Sequence, residues 1–227
     1  MRGGFELDHV FVCVPDLEGS IKLLTDRGLE CGVRSVHAGQ GTADAVFFFD
    51  NAYLELLYAW DERELALPAA RKLGLDRRLD WRKSGACPFG VAFRRTGPAQ
   101  DDEPETWDYA APFLPGGATI PIITPAGLAR EPLLFIATVS APPASYAEER
   151  GIPLRQGGRR RVLRGVRIDV LKEELSANAR QMASTGLLEI HTAAADYRME
   201  LQFGGEPKTM LDFQPELPLS ITWPRSG

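Results

Sequence analysis

Blocks of apolar and polar residues divide the start of the chain into a strand followed by a helix. Residues 7–14 are mostly β-branched or apolar and stop at Pro15, which is typical of a buried strand. Asp16 is a good N-cap residue, the positions after it have an apolar face, and Gly28 is a helix stop signal. The sequence therefore predicts a strand over 7–14 and a helix between Asp16 and Gly28.

Further strands are predicted up to about residue 60. Residues 37–42 are rich in glycine and polar side chains and predict a loop, and the apolar run 45–49 predicts a strand. Asp50 and Asn51 predict a turn into another strand that carries Glu55 and reaches residue 58. This segment therefore contains one helix among several strands.

The middle of the chain has a less regular pattern. Residues 61–83 are charged and rich in leucine but are interrupted by Pro68 and Gly74, which predicts short helices. We expect strands over 87–94 and 133–139, a polar loop over 98–105 and a short helix over 145–150.

The last third repeats the strand and helix pattern of the first segment. We expect strands over 162–170, 187–192 and 197–203, and a helix over 173–185 that ends at Gly186. Tyr197-Arg198-Met199-Glu200-Leu201 is similar to Tyr53-Leu54-Glu55-Leu56, and such internal similarity is typical of duplicated modules.

Composition sets broad limits on function. The chain has 227 residues, 44% of them hydrophobic and 25% charged, as in ordinary globular proteins. A net charge of −5 argues against nucleic-acid binding, which needs a dominant basic surface. The arginine-rich run 155–164 is interpreted as a solvated loop, with contact to an anion or a partner as the alternative.

Cysteine usage and hydropathy predict a cytoplasmic protein. Cys13, Cys31 and Cys87 are widely spaced and odd in number, which favours free thiols in a reducing compartment. Neither a signal-peptide pattern nor an apolar stretch long enough for a bilayer is visible, so we expect no membrane partner.

Two polar residues, His9 and Glu55, lie inside apolar strand-like runs. Burying either side chain without a partner is costly, so we expect both to face a shared polar cavity. Together they could supply a nitrogen and an oxygen to a divalent metal ion. The alternative is a hydrogen-bonded core histidine and a glutamate at the rim.

A family resemblance adds to this interpretation. The first sixty residues resemble glyoxalase-like proteins of the vicinal oxygen chelate superfamily in the order of these pieces: Leu7-Asp8-His9-Val10, Val14-Pro15-Asp16-Leu17, His37-Ala38-Gly39-Gln40-Gly41-Thr42 and Tyr53-Leu54-Glu55-Leu56-Leu57. The resemblance implies an α+β fold in which paired βαβββ modules form curved mixed sheets around a cavity. We therefore expect an N-terminal module over 1–60, intervening strands, loops and short helices over 61–160, and a C-terminal βαβββ-like module over 161–227.

The same resemblance implies a metal site. Metal-dependent members use a histidine of the first strand and a glutamate of the fourth, where His9 and Glu55 fall, and the internal similarity adds Glu200 as a third ligand. The metal would be manganese, iron, zinc, nickel or magnesium. The second histidine is missing, because Gly90 and Gly165 stand at the candidate positions. The full four-ligand set is therefore not present.

Three other polar residues are candidates for contact with a small-molecule ligand. His37 and Gln40 lie in the loop 37–42, where solvent exposure is the alternative. His191 alternates with apolar neighbours, so it faces either the cavity or solvent. The tryptophans and Phe113 are interpreted as core or rim packing.

Two classes of function remain open at this point. The first is a metal-dependent lyase, isomerase or dioxygenase acting on vicinal oxygens, with Glu55 or Glu200 also serving as a catalytic base. The second is a protein that binds or sequesters a small molecule without turnover. A homodimer is compatible with either class.

Overall fold

The computed structural model describes residues 4–138, 141–205 and 208–224. The first part of the chain forms a βαβββ unit with these elements: β1 (Phe5–Cys13), α1 (Leu17–Thr25), β2 (Arg34–His37), β3 (Thr42–Phe48) and β4 (Tyr53–Ala59). The predicted N-cap is observed, because the Asp16 side chain accepts a hydrogen bond from the backbone N–H of Gly19. The strand and helix predictions for this segment are confirmed.

The next segment forms short helices and a second set of strands. The helices are α2 (Glu62–Leu65), α3 (Pro68–Leu73), α4 (Leu75–Leu79) and α5 (Trp81–Ser84). The strands are β5 (Phe89–Arg95), β6 (Trp107–Ala110), β7 (Thr119–Ile122) and β8 (Leu133–Ile136). The broken helical pattern over 61–83 was predicted, whereas β6 and β7 were not. Val139, the predicted end of the strand that begins at Leu133, lies outside the described residues.

In the described chain, β1–β8 form one mixed eight-stranded sheet in the order β2-β3-β4-β1-β5-β8-β7-β6. The central strands β1 and β5 are antiparallel, β4 runs parallel to β1, and β8 runs parallel to β5. The strand order is therefore mirrored about the β1–β5 pair. We call β1–β4 the first half of the sheet and β5–β8 the second half.

The remaining strands form a hairpin and a second sheet. The hairpin pairs β9 (Arg155–Gln156) with β10 (Arg159–Arg160), so part of the expected arginine-rich loop is β-structure. The second sheet contains β11 (Leu163–Asp169), β12 (Leu188–His191), β13 (Arg198–Phe203), β14 (Lys208–Asp212) and β15 (Leu219–Pro224), with α6 (Ala177–Ala183) between β11 and β12. The expected helix over 145–150 is instead a 3-10 turn at Pro143–Ser145.

The second sheet differs in topology from the βαβββ unit that the sequence pattern suggested. In the N-terminal unit the fourth strand, β4, is the parallel neighbour of β1. In the C-terminal unit β12 is the parallel neighbour of β11, and β13 runs antiparallel to β11. Glu200 on β13 therefore does not occupy the position of Glu55 on β4. The module that pairs with the N-terminal unit comes from the middle of the chain.

Two apolar clusters lie on opposite faces of the eight-stranded sheet. Val10 and Val12 of β1 belong to the larger cluster, which joins one face of the sheet to α1 and to the inner face of the second sheet. Phe11 and Cys13, which alternate with them, belong to a smaller cluster that includes Leu73 of α3. This alternation is the two-residue period of a strand buried on both faces. The second sheet thus covers one face and leaves the other face for a cavity.

The predicted α+β class with curved mixed sheets is confirmed. Within the described residues, none of the helices has the length and apolar character needed to cross a membrane.

Candidate functional site

A cavity of about 760 Å³ lies on the concave face of the eight-stranded sheet. Its walls come from both halves of the sheet, and Leu73 and Leu75 of the short helices also line it. A cavity of this size is in the range that holds small organic ligands, roughly 300–1,000 Å³.

A β-bulge in β1 brings two consecutive polar side chains to this cavity. Leu7 pairs with Phe93 and His9 pairs with Ala92, so Asp8 is an extra residue in the ladder. Without the bulge, Asp8 and His9 would point to opposite faces. Both line the cavity, and Asp8 Oδ1 lies 2.6 Å from His9 Nδ1.

His9 and Glu55 converge in the cavity, as the sequence predicted. Glu55 lies on β4, beside β1, and its Oε1 is 4.0 Å from His9 Nε2. The ring of Tyr53 stacks on the His9 ring, with the ring centroids 4.5 Å apart. The Phe135 ring packs edge-on against His9, with the ring centroids 5.3 Å apart. The imidazole is therefore fixed by packing and by its hydrogen bond to Asp8.

Burial changes the protonation of both side chains. Desolvation raises the pKa of Glu55 to about 7; nearby His9 opposes this shift and Asp44 adds to it. For His9, desolvation lowers the pKa, but the charges of Glu55 and Asp8 and the hydrogen bond that His9 donates to Asp8 outweigh it, so its pKa is raised. The protonation of each group therefore depends on the charge of the other.

A second polar cluster lies farther along the first half. His37 Nδ1 is 2.9 Å from the hydroxyl of Thr42, and His37 Nε2 is 3.4 Å from Asp44 Oδ2. The Gln40 amide donates to the same Thr42 hydroxyl at 2.7 Å, and Gln40 Oε1 accepts from Tyr109 at 2.9 Å. His37 and Gln40 thus line the cavity, and the Gln40–Tyr109 bond ties the two edges of the curved sheet together.

The second half of the sheet presents apolar side chains to the cavity. Its described strands contribute Ile120, Ile122, Leu133 and Phe135, and Tyr109 is the polar exception. Since no histidine or carboxylate of these strands lines the cavity, the histidines and carboxylates that the sheet presents to it all belong to the first half, beside apolar residues such as Phe48, and the segment after β8 adds Arg150.

Strand register identifies the second-half counterparts of His9 and Glu55. Val10 of β1 pairs with Val91 of β5, and we take this pair as the centre of the mirrored strand order. Val10 lies beside Leu54 of β4, and Val91 lies in the same way beside Leu134 of β8. His9 and Glu55, one residue away, therefore correspond to Gly90 and Phe135. Neither residue can bind a metal ion through its side chain.

The residues present do not fit a metal centre. A Cβ atom at Gly90 would overlap the ring of Phe11, so this position has no room for any side chain. Among the described residues, no group of three or more histidine, cysteine, aspartate or glutamate side chains is placed to hold a metal ion. His9 and Glu55 provide two donors, fewer than the three protein ligands typical of a catalytic zinc site.

The structure does not bring Glu200 or His191 to this cavity. Glu200 lies on β13 of the second sheet, accepts a hydrogen bond from Thr222 at 2.8 Å and lines a separate small pocket with two arginines. His191 lies at the end of β12 with its side chain 49% exposed, and its Nδ1 is 3.4 Å from Asp169. The expected ligand set of His9, Glu55 and Glu200 therefore does not assemble, because β13 belongs to the sheet packed on the opposite face.

Several residues around the site were missed by sequence reasoning. Asp8 belongs to the predicted strand over 7–14, but apolar alternation gives no sign of the bulge that turns it to the cavity. Arg94, Asp44 and Tyr109 are distant in sequence and meet the site only through strand pairing. Tyr53 could have been considered, because it stands two residues from Glu55 on the same strand face.

These observations define a class: a protein in which a βαβββ unit and a second half-sheet enclose a cavity in the manner of the vicinal oxygen chelate superfamily. The sequence model of the glyoxalase-like domain family matches residues 7–127, just over half of the chain. The chain belongs to this glyoxalase-like domain family.

Solved structures give a broader likeness. A hypothetical protein from Staphylococcus aureus is 8% identical, has a TM-score of 0.55 and aligns over 96% of this chain and 98% of its own. A variant of methylmalonyl-CoA epimerase from Streptomyces coelicolor is 19% identical, with a TM-score of 0.38 over 60% of this chain and 98% of its own. A variant of 4-hydroxymandelate synthase from the same organism is 13% identical, with a TM-score of 0.43 over 96% of this chain and 61% of its own.

The Staphylococcus protein supports the fold of nearly the whole chain, including the C-terminal sheet. No curated protein matches the chain. A fold does not by itself specify an activity, which depends on the chemistry of the site.

Proposed function

We propose that the cavity binds a small amphipathic molecule and that Glu55, working with His9, moves a proton at the polar end of this molecule. The observation that carries the proposal is the pair itself: a carboxyl and an imidazole 4.0 Å apart, with side chains 13% and 11% exposed, in a cavity of about 760 Å³. The gap of 4.0 Å leaves room for a substrate atom within hydrogen-bond reach of both groups.

The two walls of the cavity indicate the kind of molecule. A carbonyl or hydroxyl group fits beside Glu55 and His9, where donors and acceptors are present. An alkyl or aryl body fits against Phe135, Ile122 and Leu133, where burial of apolar surface favours binding. The proposed ligand class is therefore a small carbonyl compound with an apolar substituent.

The chemistry follows from the charge state of the pair. As a carboxylate, Glu55 takes a proton from the carbon next to the carbonyl group and becomes a carboxylic acid, which leaves an enolate. His9, when charged, donates a hydrogen bond or its Nε2 proton to the enolate oxygen. A carboxyl whose pKa is about 7 suits this role, because the base form is present at neutral pH and still binds a proton well. Return of the proton completes an isomerisation or an exchange.

The experiment measures hydrogen–deuterium exchange by proton NMR in D2O with two ketones, benzylacetone and acetone, which differ in the apolar body. We expect the wild type to accelerate exchange of benzylacetone more than that of acetone. Glu55→Gln should reduce the acceleration by about 100-fold or more, since general-base catalysis typically contributes this much. Glu200→Gln, remote from the cavity, is the matched control and should behave as wild type.

The possible outcomes separate the two classes of function. Equal exchange by wild type and Glu55→Gln would contradict the role of Glu55. Saturable broadening of the benzylacetone signals without exchange would contradict catalysis and favour a binding protein. Exchange that disappears after EDTA treatment would show that a metal ion is required and would contradict proton transfer by the side chains alone.

A further inference from the structure

Asp8 is buried behind His9 and uses both of its carboxylate oxygens. Oδ1 lies 2.6 Å from His9 Nδ1, and Oδ2 accepts a hydrogen bond from Arg94 Nη1 at 2.6 Å. Asp8 and Arg94 are each 2% exposed at the side chain. Charge-assisted contacts this short in a buried setting hold both side chains in place.

Arg94 is itself fixed by three acceptors on different parts of the chain. Besides Asp8, its Nε donates to Glu6 at 2.7 Å and its Nη2 donates to the backbone carbonyl of Asn51 at 3.0 Å. A guanidinium can only donate, so the oxygen of residue 8 that faces Arg94 must be an acceptor. Arg94 therefore fixes the orientation of the Asp8 carboxylate, and this carboxylate in turn fixes the orientation of the His9 ring.

We propose that Asp8, oriented by Arg94, is a positioning residue that keeps the proton of neutral His9 on Nδ1. The Nε2 lone pair then points towards Glu55 and can receive a proton. The inference deepens the proposed function and rests on it for its catalytic meaning, since His9 can return a proton to substrate only if Nε2 is first free to accept one. The tautomer itself can be observed without any substrate.

Replacing Asp8 by asparagine should reverse the tautomer. The amide oxygen of Asn must face Arg94, because Arg94 offers only donors. The amide NH2 then faces His9 Nδ1, which must become an acceptor, so the proton of the neutral imidazole moves to Nε2. A carboxylate and an amide have nearly the same shape, so the substitution changes hydrogen bonding with little change in packing.

The test is 15N NMR of protein labelled at its histidines, recorded at alkaline pH where imidazole is neutral. Protonated and bare ring nitrogens differ strongly in 15N shift, and His9→Gln identifies the His9 signals. In the wild type we expect a protonated Nδ1 and a bare Nε2, and in Asp8→Asn the reverse. His37, whose Nδ1 contacts Thr42, is an internal control and should not change.

A double variant tests the contribution of Arg94. In Asp8→Asn with Arg94→Met, no donor fixes the asparagine amide, so we expect a mixture of the two His9 tautomers rather than a full reversal. In the exchange assay, Asp8→Asn should lower kcat by roughly 10- to 100-fold with little change in KM, the size of loss seen when a group that orients a metal-bound histidine is removed.

The NMR result decides the inference separately from the exchange assay. A wild-type His9 protonated on Nε2, or an unchanged Nδ1–H tautomer in Asp8→Asn, would overturn it even if the protein catalyses exchange. If Asp8→Asn does not fold, the wild-type spectrum alone still gives the answer. If the wild type shows no exchange but the tautomers behave as described, the positioning by Asp8 stands and the proposed function fails.

Discussion

In the eight-stranded sheet, β4 and β8 occupy matching places beside the central strands, yet Glu55 of β4 corresponds to Phe135 of β8. In the same way His9 of β1 corresponds to Gly90 of β5, where the ring of Phe11 fills the space in front of the backbone. The two halves thus share strand order and differ in chemistry. Strand pairing depends on the backbone, so it leaves side chains free to differ between halves.

This difference determines what the cavity can do. A site with donors from both halves surrounds an ion, whereas here the histidines and carboxylates come from the first half alone and face the mainly apolar strands of the second half. The first half therefore holds the proton-transfer groups, and the second half provides apolar contact.

The largest effect is expected from Arg94, the residue by which the second half supports the first. Arg94→Met leaves Asp8 buried without its charged partner and should lower the free energy of unfolding by about 3–5 kcal/mol. Arg160→Met is the matched control, because Arg160 pairs with Asp50 at the surface, and it should cost less than about 1 kcal/mol. Urea unfolding of both variants gives the comparison. Equal losses would show that the Asp8–Arg94 pair does not support the first half.

The next effect concerns Gly90, the counterpart of His9. Gly90→Ala forces the ring of Phe11 to move and should destabilise the fold by about 1–3 kcal/mol through overpacking. Gly97→Ala is the control, because its new methyl group meets open space and should change stability by less than about 0.5 kcal/mol. A Gly90→Ala protein as stable as wild type would mean that the second half has room for a ligating side chain.

The pH dependence of stability tests the polar half. The pKa of Glu55 is about 7 in the fold and roughly 4.3 when unfolded, so between these values the folded state binds more protons. Stability from this group is complete below about pH 4 and is lost as pH rises through about 7. His9, whose pKa is also raised, acts in the same direction.

Between about pH 4 and pH 8, the wild type should therefore lose roughly 1–2 kcal/mol of stability relative to Glu55→Gln. This loss is smaller than the full pKa shift of Glu55 would give, because protonated His9 partly offsets the charge of the ionised Glu55 carboxylate. Urea unfolding at several pH values measures this difference. Parallel pH profiles for the two proteins would be evidence against a neutral-range carboxyl.

The smallest effect concerns Tyr109, the polar exception of the second half. Tyr109→Phe removes the hydrogen bond to Gln40 and should cost about 1 kcal/mol. Tyr58→Phe, on the half-exposed side of β4, is the control and should change stability by less than about 0.5 kcal/mol. Thermal unfolding distinguishes them, and identical midpoints would show that this bond does not tie the sheet edges together.

Local pattern was sufficient for the N-terminal unit. The apolar run before Pro15, the Asp16 cap and the Gly28 stop reflect interactions within a few residues, so they could be predicted. The convergence of His9 and Glu55 also followed from two polar residues in buried strands. The strands β6 and β7 have only four residues each, too few for a periodic signal.

The rest of the site depends on pairing that the sequence does not display. The similarity between Tyr53-Leu54-Glu55 and Tyr197-Arg198-Met199-Glu200 suggested a second ligand strand, but β13 runs antiparallel to β11 and belongs to another sheet. Asp8 reaches the cavity through a bulge, and Arg94 reaches Asp8 across the β1–β5 pair. Such contacts are set by register rather than by local composition.

The central claim is that the proton-transfer groups of the cavity lie in the first half of the sheet, with Glu55 titrating in the neutral range. Carboxyl 13C NMR of protein labelled at its glutamates measures this directly, and Glu55→Gln identifies the signal. The account predicts a midpoint of about 7 for Glu55, coupled to a change in the His9 ring signals. A midpoint near the ordinary glutamate value of about 4.3 would contradict it.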